Sequence, residues 1–227
     1  METSFAVWSD NLPEEISFWK EWLNDQSINK ERIEMINKPF PFSALFNQLS
    51  DTTIKVLDVG SGPVTTVGTL LPSATIELTA CDPLAEEYNS MLRAIGLAER
   101  ANIQKVAGED LSKVFEKNSF DLVHSANALD HAYDPLLCIQ NMLEVCKPGG
   151  WVVVIVIENE GERENYHGLH QWNFYLSKPD QVSLCSKNKN DSIIINNQLK
   201  GVQQFKAYSV DHGSNLPIIQ IDIQKSA

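Results

Sequence analysis

The feature that most constrains the fold is an apolar stretch that runs into an acid and then two glycines, VLDVGSGP at residues 56–63. A strand buried on both faces ends in this way where the chain turns sharply and comes close to a ligand. Gly60 and Gly62 can adopt backbone angles closed to other residues, and Pro63 is well placed as the first residue of a following helix. The unpaired N–H groups of such a loop and of a helix N-terminus predict a binding site for the polar part of a nucleotide-like ligand.

From residue 54 onwards the chain alternates apolar strands with helices, a pattern typical of a parallel sheet. Strands are predicted at residues 54–59, 76–81, 102–106, 120–125 and 151–157. Helices are predicted near residues 64–71, after Pro83, after residues 107–111 and after Asp134-Pro135. Two final strands, at residues 205–210 and 218–223, are expected to pair in antiparallel fashion. The fold class is therefore α/β.

An amphipathic helix is predicted over residues 8–25. Its apolar residues recur at helical spacing: Ile16, Trp19, Trp22 and Leu23. We expect this helix to pack over the core as a lid, because a helix that precedes such a core often covers a substrate pocket.

Polar and aromatic side chains crowd together after residue 157, and no helical period persists there. We interpret residues 158–175 as a segment that faces a substrate. Residues 182–186 and 192–196 are predicted to form a β-hairpin added to the basic pattern.

The chain has 227 residues, of which 43% are hydrophobic, and this is long enough for one well-buried domain with a cap. We expect a single domain over residues 1–227. Residues 1–50 would form a helical cap, residues 54–157 the ligand-binding core, and residues 158–227 the substrate-facing segment and the last strands.

The net charge of −12 disfavours binding to nucleic acid or to an anionic membrane surface, since both need clustered cations. A small-molecule partner is favoured instead, and the oligomeric state stays open. Residues 1–5 lack a basic targeting region, and no apolar run reaches membrane-spanning length, so a cytoplasmic protein is expected. The four cysteines form no CxxC pair and are predicted to be buried free thiols.

A dinucleotide-binding fingerprint would need a third glycine where Thr65 stands. The motifs of the chain are, in order, VLDVGSG at 56–62, CDP at 81–83, GEDL at 108–111, FDLV at 120–123 and LEVCKPGG at 143–150. In their order and separations these motifs resemble those of the class I S-adenosylmethionine-dependent methyltransferases. The resemblance covers residues 54–157 and implies a Rossmann-like, doubly wound, mostly parallel seven-stranded sheet with an antiparallel C-terminal strand.

The resemblance also implies how the cofactor is held. Gly60, Ser61 and Gly62 would bring the backbone close to its methionine part, with Asp58 near the ammonium group. Asp82 would accept hydrogen bonds from the two ribose hydroxyls, since a carboxylate offers two acceptor oxygens.

Adenine would lie beside Glu109 and Asp110, one of which would accept from the exocyclic amine while Leu111 lies against the ring. The sequence does not decide between the two acids. Pro83, directly after the ribose-binding acid, and Asn127, after the fourth strand, complete the expected cofactor site for S-adenosylmethionine and its product S-adenosylhomocysteine.

The resemblance implies transfer of a methyl group to a small polar acceptor, and an oxygen of a sugar or natural-product intermediate is favoured. A hydroxyl has a high pKa and benefits from a positioned base. His131 and His170 are the candidate bases, with Asp130 beside them.

The acceptor pocket is predicted to be lined by His167, Gln171, Trp172 and Asn173, whose side chains suit hydroxyl groups. If His167 and His170 came close to Asp130 and His131 in the folded chain, the four side chains would make a metal site. We nevertheless expect no metal, because no fixed ligand spacing recurs and a nearby sulfonium would disfavour a second cation.

Three alternatives remain open at this stage. In the first, the methyl group goes to a nitrogen or a carboxylate group of a small molecule. In the second, the protein is a non-catalytic binder that keeps the methyltransferase fold. The third is a nicotinamide-dependent oxidoreductase, against which the missing glycine argues. A looser similarity, to small bacterial methyltransferases linked to glycan or natural-product pathways, rests on residues 127–131 and 168–174.

Overall fold

The computed structural model describes residues 5–46, 52–211, 213 and 215–227. Ten strands are present in this part of the chain: β1 (Thr52–Val59), β2 (Ala74–Asp82), β3 (Gln104–Lys105), β4 (Phe120–Ala126), β5 (Cys146–Ile157), β6 (Asn173–Lys178), β7 (Gln181–Cys185), β8 (Ile193–Ile194), β9 (Val202–Val210) and β10 (Ile218–Lys225). The α-helices are α1 (Phe5–Asn24), α2 (Gln26–Ile33), α3 (Ala85–Ala94), α4 (Leu111–Val114), α5 (Pro135–Val145) and α6 (Glu160–Arg163).

Seven strands form the main sheet in the order β3-β2-β1-β4-β5-β10-β9. The first five of these pair in parallel, whereas β10 is antiparallel to both β5 and β9. The predicted fold class is therefore confirmed. Strand order reverses between β1 and β4, and ligands of such sheets bind outside the carboxyl ends of the strands at this reversal.

The two faces of the sheet bury alternate residues, as the strand period of two requires. Leu57 and Val123 face α5, where Ile139 and Met142 are fully buried. Their neighbours on the other face belong to a second apolar cluster with Phe40 and Phe42: Val56, Leu122 and Val153. The N-terminal segment thus covers the face that α5 leaves open.

The helix predicted near residues 64–71 is wrong, because residues 61–73 contain no helix. This segment pairs with the N-terminal chain instead: Phe40 N donates to Leu70 O at 2.9 Å, and Leu70 N donates to Lys38 O at 3.0 Å. Backbone groups paired between segments are not available for helical hydrogen bonds. Pro63 therefore starts no helix, and the ligand-binding loop has no helix N-terminus behind it.

The predicted hairpin is confirmed, since β7 and β8 pair in antiparallel fashion. It belongs to a three-stranded sheet, β6-β7-β8, whose first strand the sequence analysis missed. Phe174 in β6 is buried beside polar Asn173, so no clean alternation marks this strand.

The other predicted elements agree with the structure within a few residues. Helix α5 begins where Asp134 was predicted to cap it, and the Asp134 carboxylate accepts from Leu137 N at 3.0 Å. The third strand is shorter than predicted, Gln104–Lys105. All four cysteines are free and buried, as expected. Among the described residues, no helix combines the length and the apolarity that a membrane span requires.

We predict that Gly68→Ala destabilises the fold by about 1–3 kcal/mol, because an added Cβ would lie 2.4 Å from Lys38 O and 2.5 Å from Pro39 O. Urea unfolding measures the effect. Ser73→Ala, an exposed change in the same segment, should stay within about 0.5 kcal/mol. Equal stability of Gly68→Ala and the wild type would show that the two segments do not pack as described.

Candidate active site

A cavity lies at the carboxyl ends of β1, β2 and β4, where the strand order reverses. Its wall includes seven of the predicted cofactor residues and one candidate base, His131. The seven are Gly60, Ser61, Gly62, Asp82, Pro83, Glu109 and Asn127. The predicted glycine loop and the acid after the second strand therefore face one space.

The loop after β1 is bent back onto the end of β2. The N–H groups of Gly60 and Ser61 both donate to Cys81 O, at 2.9 and 3.2 Å. Gly60 and Gly62 have φ values of 65° and 59°, which favour glycine. A Cβ on Gly60 would lie 2.5 Å from the Ala128 Cβ, so this position also requires glycine for space.

Asp82 joins the loop to the start of the segment before α3. Its Oδ2 accepts from Gly62 N at 3.1 Å, and its Oδ1 accepts from Leu84 N at 2.9 Å. Burial raises the pKa of Asp82 to about 7, although these two hydrogen bonds act in the opposite direction. Each oxygen keeps a free lone pair, so the carboxylate can accept two further hydrogen bonds from a molecule in the cavity.

The structure separates the two acids between which the sequence did not decide. Glu109 is buried and lines the cavity, and its Oε1 accepts from the N–H groups of Tyr133 and Asp134 at 2.9 and 3.0 Å. Burial raises the pKa of Glu109. Asp110 lies outside the cavity wall and pairs with Lys113 at 2.6 Å.

Leu111 is fully buried within the core and does not line the cavity, so its expected contact with the adenine ring is not supported. The wall after β4 is formed instead by Ser125, Ala126 and Asn127. Asn127 adopts a left-handed φ of 49°, and Ser125 Oγ is buried without a hydrogen-bond partner among the described residues. A polar ligand in the cavity can satisfy this hydroxyl.

Asp58 does not lie where the sequence analysis expected it. The residue is only 1% exposed, is absent from the cavity wall, and directs Oδ1 to His124 Nδ1 at 2.7 Å. The Thr65 hydroxyl donates to Asp58 Oδ2 at 2.5 Å. Both carboxylate oxygens are therefore engaged inside the protein, and a role near the ammonium group is not carried forward. His124 is a buried core residue.

Helix α1 covers the cavity, which confirms the predicted lid. Four of its side chains line the wall: Trp8, Leu12, Glu15 and Trp19. Trp19 Nε1 donates to Glu15 Oε1 at 2.7 Å, and a Cβ on Gly62 would lie 3.1 Å from the Trp19 ring. The lid thus packs directly over the glycine loop.

Asp130, His131 and His170 come together beside the cavity. His170 Nδ1 lies 2.7 Å from Asp130 Oδ2 and 3.0 Å from His131 Nε2, and the last two atoms are 3.4 Å apart. His131 lines the cavity, whereas Asp130 lies beneath it and is 2% exposed. The cluster is therefore buried on one side and open to the cavity through His131.

Asp130 and His170 each shift the pKa of the other towards the charged form. Burial alone would raise the pKa of Asp130, but the adjacent His131 and His170 lower it overall. Burial alone would lower the pKa of His170, but its hydrogen bond with Asp130 raises it overall. Burial, and next the charge of Asp130, raises the pKa of neighbouring Glu160.

The four residues predicted to line the acceptor pocket lie outside the cavity wall. Gln171 Nε2 donates to the carbonyls of Tyr166 and Gly168 at 3.0 and 2.8 Å, so its side chain bonds to the backbone of the loop in which it lies. Trp172 is 1% exposed and donates from Nε1 to Ala132 O at 2.7 Å. These two side chains hold the fold together and do not face a ligand.

The same holds for Asn173, whose Oδ1 accepts from Glu162 N at 2.8 Å and whose Nδ2 donates to the Tyr166 hydroxyl at 3.0 Å. His167 is largely exposed and pairs with Glu14 at 3.3 Å. The sequence alone does not reveal these partners, because they come from backbone turns and from a distant helix.

Several wall residues were not predicted as site residues: Arg32, Leu84, Tyr88, Cys138 and Leu169. Burial lowers the pKa of Arg32 and raises that of Tyr88. Leu169 lies in the predicted substrate-facing segment, but no motif singles it out.

The comparisons with known proteins agree with this geometry. Residues 57–154 match a family model described as a methyltransferase domain. Tocopherol O-methyltransferase of Arabidopsis thaliana is 25% identical over 66% of this chain and 44% of its own length. The ubiquinone biosynthesis O-methyltransferase of Hydrogenovibrio crunogenus is 31% identical over 55% of this chain and 48% of its own length.

Among solved structures, the chain is similar to the 1,6-didemethyltoxoflavin-N1-methyltransferase of Burkholderia thailandensis, determined with bound 1,6-didemethyltoxoflavin and S-adenosylhomocysteine. The TM-score is 0.54 at 13% identity, and the match covers 98% of this chain and 88% of that chain. This likeness concerns the fold.

The sheet order, the glycine loop and the family match agree with one another: residues 57–154 resemble the methyltransferase domain of the class I S-adenosylmethionine-dependent enzymes. The resemblance predicted from the motifs is confirmed. The chain spans less than half the length of the curated relatives described above.

We predict that Asp58 and His124 are energetically coupled. Each single change to alanine should destabilise the protein by about 3–5 kcal/mol, because it leaves the other buried polar group without its partner. The double variant should be clearly less unstable than the sum of the two, with a coupling energy of about 0.5–3 kcal/mol. Urea unfolding of the four proteins measures the cycle. Strictly additive effects would contradict the buried pair.

Proposed function

We propose that the protein transfers the methyl group of S-adenosylmethionine to an oxygen atom of a small hydroxylated molecule. The observation that carries the proposal is that the glycine loop, Asp82 and His131 all line one cavity. The same space thus offers backbone and carboxylate groups for the cofactor and an imidazole for the acceptor.

The residues present fit the cofactor. Asp82 keeps two acceptor lone pairs for the ribose hydroxyls, and Gly60 and Gly62 leave no side chain between the backbone and the cavity. Glu109 has one carboxylate oxygen bonded to backbone N–H groups and is assigned to the adenine amine, in preference to Asp110, which lies outside the cavity wall and pairs with Lys113. S-adenosylmethionine supplies a methyl group that is already activated, so the protein must orient the acceptor and exclude water.

The wall contributed by α1 and by the segments after β4 indicates the kind of acceptor. Its apolar side chains are Trp8, Leu12, Leu129 and Leu169, and its polar side chains are Glu15, Asn127 and His131. A sugar would leave several hydroxyls without partners on such a wall. A flat ring that bears a hydroxyl group fits better, and a natural-product intermediate is therefore favoured over a sugar.

The names of the relatives support an oxygen acceptor, since two of them are O-methyltransferases, of tocopherol and of ubiquinone biosynthesis. The acceptor hydroxyl would be activated at the Asp130–His131–His170 cluster, where His131 faces the cavity. Lid helix α1 would exclude water through Trp8 and Trp19.

Two measurements test the proposal. Isothermal titration calorimetry with S-adenosylhomocysteine should show one site of micromolar affinity. Incubation with methyl-labelled S-adenosylmethionine and a panel of phenols, hydroquinones and sugars should label a hydroxylated ring compound, with the methyl group on oxygen in the mass spectrum of the product. Absence of cofactor binding would refute the activity, and labelling only of amines would refute the oxygen acceptor.

We predict that the affinity for S-adenosylhomocysteine rises with pH through Asp82. With a pKa of about 7 in the ligand-free protein, Asp82 is mostly protonated at pH 6 and mostly ionised at pH 8. If the ionised form accepts the ribose hydroxyls, binding at pH 6 costs a deprotonation, and the affinity at pH 8 is roughly tenfold higher. Calorimetry at pH 6, 7 and 8 measures this slope.

Asp82→Asn should bind more weakly at every pH and should lose the slope, because the amide does not titrate. Asp110→Asn is the matched control, since Asp110 is a neighbouring acid outside the cavity wall, paired with Lys113. This control should keep both the affinity and the slope. An unchanged slope in Asp82→Asn would assign the pH dependence to another group.

A further inference from the structure

We infer that Asp130, His131 and His170 bind a divalent transition-metal ion beside the cavity, where the ion would hold the oxygen of the acceptor. The ion itself follows from the geometry of these three residues; only its use in methyl transfer rests on the proposed function. The inference revises the expectation from the sequence that no metal is bound.

The first argument is the spacing of the three ligand atoms. Asp130 Oδ2, His131 Nε2 and His170 Nδ1 form a triangle with edges of 2.7, 3.0 and 3.4 Å. Ligand atoms held about 2.0–2.1 Å from an ion lie about 3.0 Å apart at right angles and about 3.4 Å apart at the tetrahedral angle. The triangle therefore already has the size of one face of a coordination sphere.

The second argument is that protons alone satisfy this triangle poorly. A neutral imidazole nitrogen either donates one proton or offers one lone pair. If His170 Nδ1 donates to Asp130 Oδ2, the same proton cannot also point to His131 Nε2, although that atom is only 3.0 Å away. An ion at the centre accepts a lone pair from each of the three atoms at once. Two histidines and one carboxylate are a common donor set for first-row metals.

The third argument comes from buried oxygens that lack hydrogen bonds. Asp130 is 2% exposed, and its Oδ1 has no hydrogen-bond partner within the described part of the chain. Glu160 Oε2 is likewise buried without a hydrogen bond, and its carboxylate interacts electrostatically with Asp130 and His170. Arg163 Nε lies 3.8 Å from Glu160 Oε2, so both oxygens have a charged neighbour but no hydrogen bond. Buried carboxylate oxygens without hydrogen bonds are costly, and a divalent cation beside them would offset part of that cost.

Metal ligands are usually held in place by groups on the side away from the ion, and the structure shows the neighbours of this cluster on that side. Glu15 Oε2 lies 3.8 Å from His131 Nδ1, the ring nitrogen that is not part of the triangle. Gln171 N donates to Asp130 O at 3.1 Å and ties the loop of His170 to the turn of Asp130.

The ion gives the acceptor hydroxyl a lower pKa than it has in water. The hydroxyl would coordinate the ion and release its proton to water, and its oxygen would then form a bond to the methyl carbon. The carbon–sulfur bond breaks in the same step, and its electron pair goes to sulfur. The products are the methyl ether, S-adenosylhomocysteine and one proton.

Metal binding is tested on the full chain after removal of metal with EDTA and gel filtration. Calorimetry with Zn²⁺ should show one site, and Co²⁺ should give the visible absorption of a bound ion at one equivalent per chain. His131→Ala and His170→Ala should each lower the Zn²⁺ affinity by at least tenfold, by the loss of a ligand. Asp130→Asn should do the same, provided that circular dichroism shows it folded.

His167→Ala is the matched control, because His167 lies three residues from His170 but is exposed and paired with Glu14. It should keep full Zn²⁺ affinity and the Co²⁺ spectrum. The inference is overturned if the wild type binds no stoichiometric ion, if His167→Ala loses the ion as well, or if the ion persists in the double variant of His131 and His170.

Titration of S-adenosylhomocysteine into the metal-free protein separates this inference from the proposed function. Zn²⁺ binding without cofactor binding would keep the metal site and refute the methyl transfer. Cofactor binding without Zn²⁺ binding would keep the methyl transfer and refute the metal site.

Discussion

The structure depends on the contact between the glycine loop after β1 and the end of β2. Two N–H groups of the loop share Cys81 O, and Gly62 N donates to the carboxylate of Asp82. These bonds require left-handed φ values at both glycines, and they leave a bare backbone at the point where the sheet order reverses. They also bury Asp82, which raises its pKa, and they position it with two free lone pairs. Lid helix α1 then packs Trp19 over the loop. The position of the cavity, the burial of Asp82 and the packing of helix α1 over the loop therefore all depend on this one tight turn.

Three acids at the carboxyl side of the sheet show how environment decides the role of a residue. Asp58 has both carboxylate oxygens hydrogen-bonded inside the protein, to His124 and to the hydroxyl of Thr65, so it stabilises the fold. Asp82 is held by backbone N–H groups alone and stays available to a ligand. Asp130 lies between two imidazoles and keeps one oxygen without a hydrogen bond among the described residues, an arrangement that suits an ion. The residue type is the same in each case, and the neighbours that long-range packing supplies are different.

Sequence reasoning predicted the sheet well, because apolar strands of four to eight residues and their flanking glycines and acids are local signals. It failed between β1 and β2, where a helix was expected near residues 64–71. The backbone there bonds to Lys38 and Phe40, which lie some thirty residues earlier in the chain. It also missed β6, in which Asn173 and Phe174 are both buried and hide the alternation. Between β1 and β2 a distant segment, and not local propensity, decides where the backbone hydrogen bonds go.

The sequence by itself determined the fold class, the glycine loop, Asp82 as the acid beside it, and the lid helix, because each depends on spacing along one or two adjacent elements. Only the tertiary structure decided that Glu109 and not Asp110 faces the cavity. Packing likewise turned Trp172 and its neighbours inward, and it brought His131 and His170, 39 residues apart, to within 3.0 Å of each other. Such choices rest on contacts between segments that are far apart in the chain, and these contacts exist only once the chain has folded.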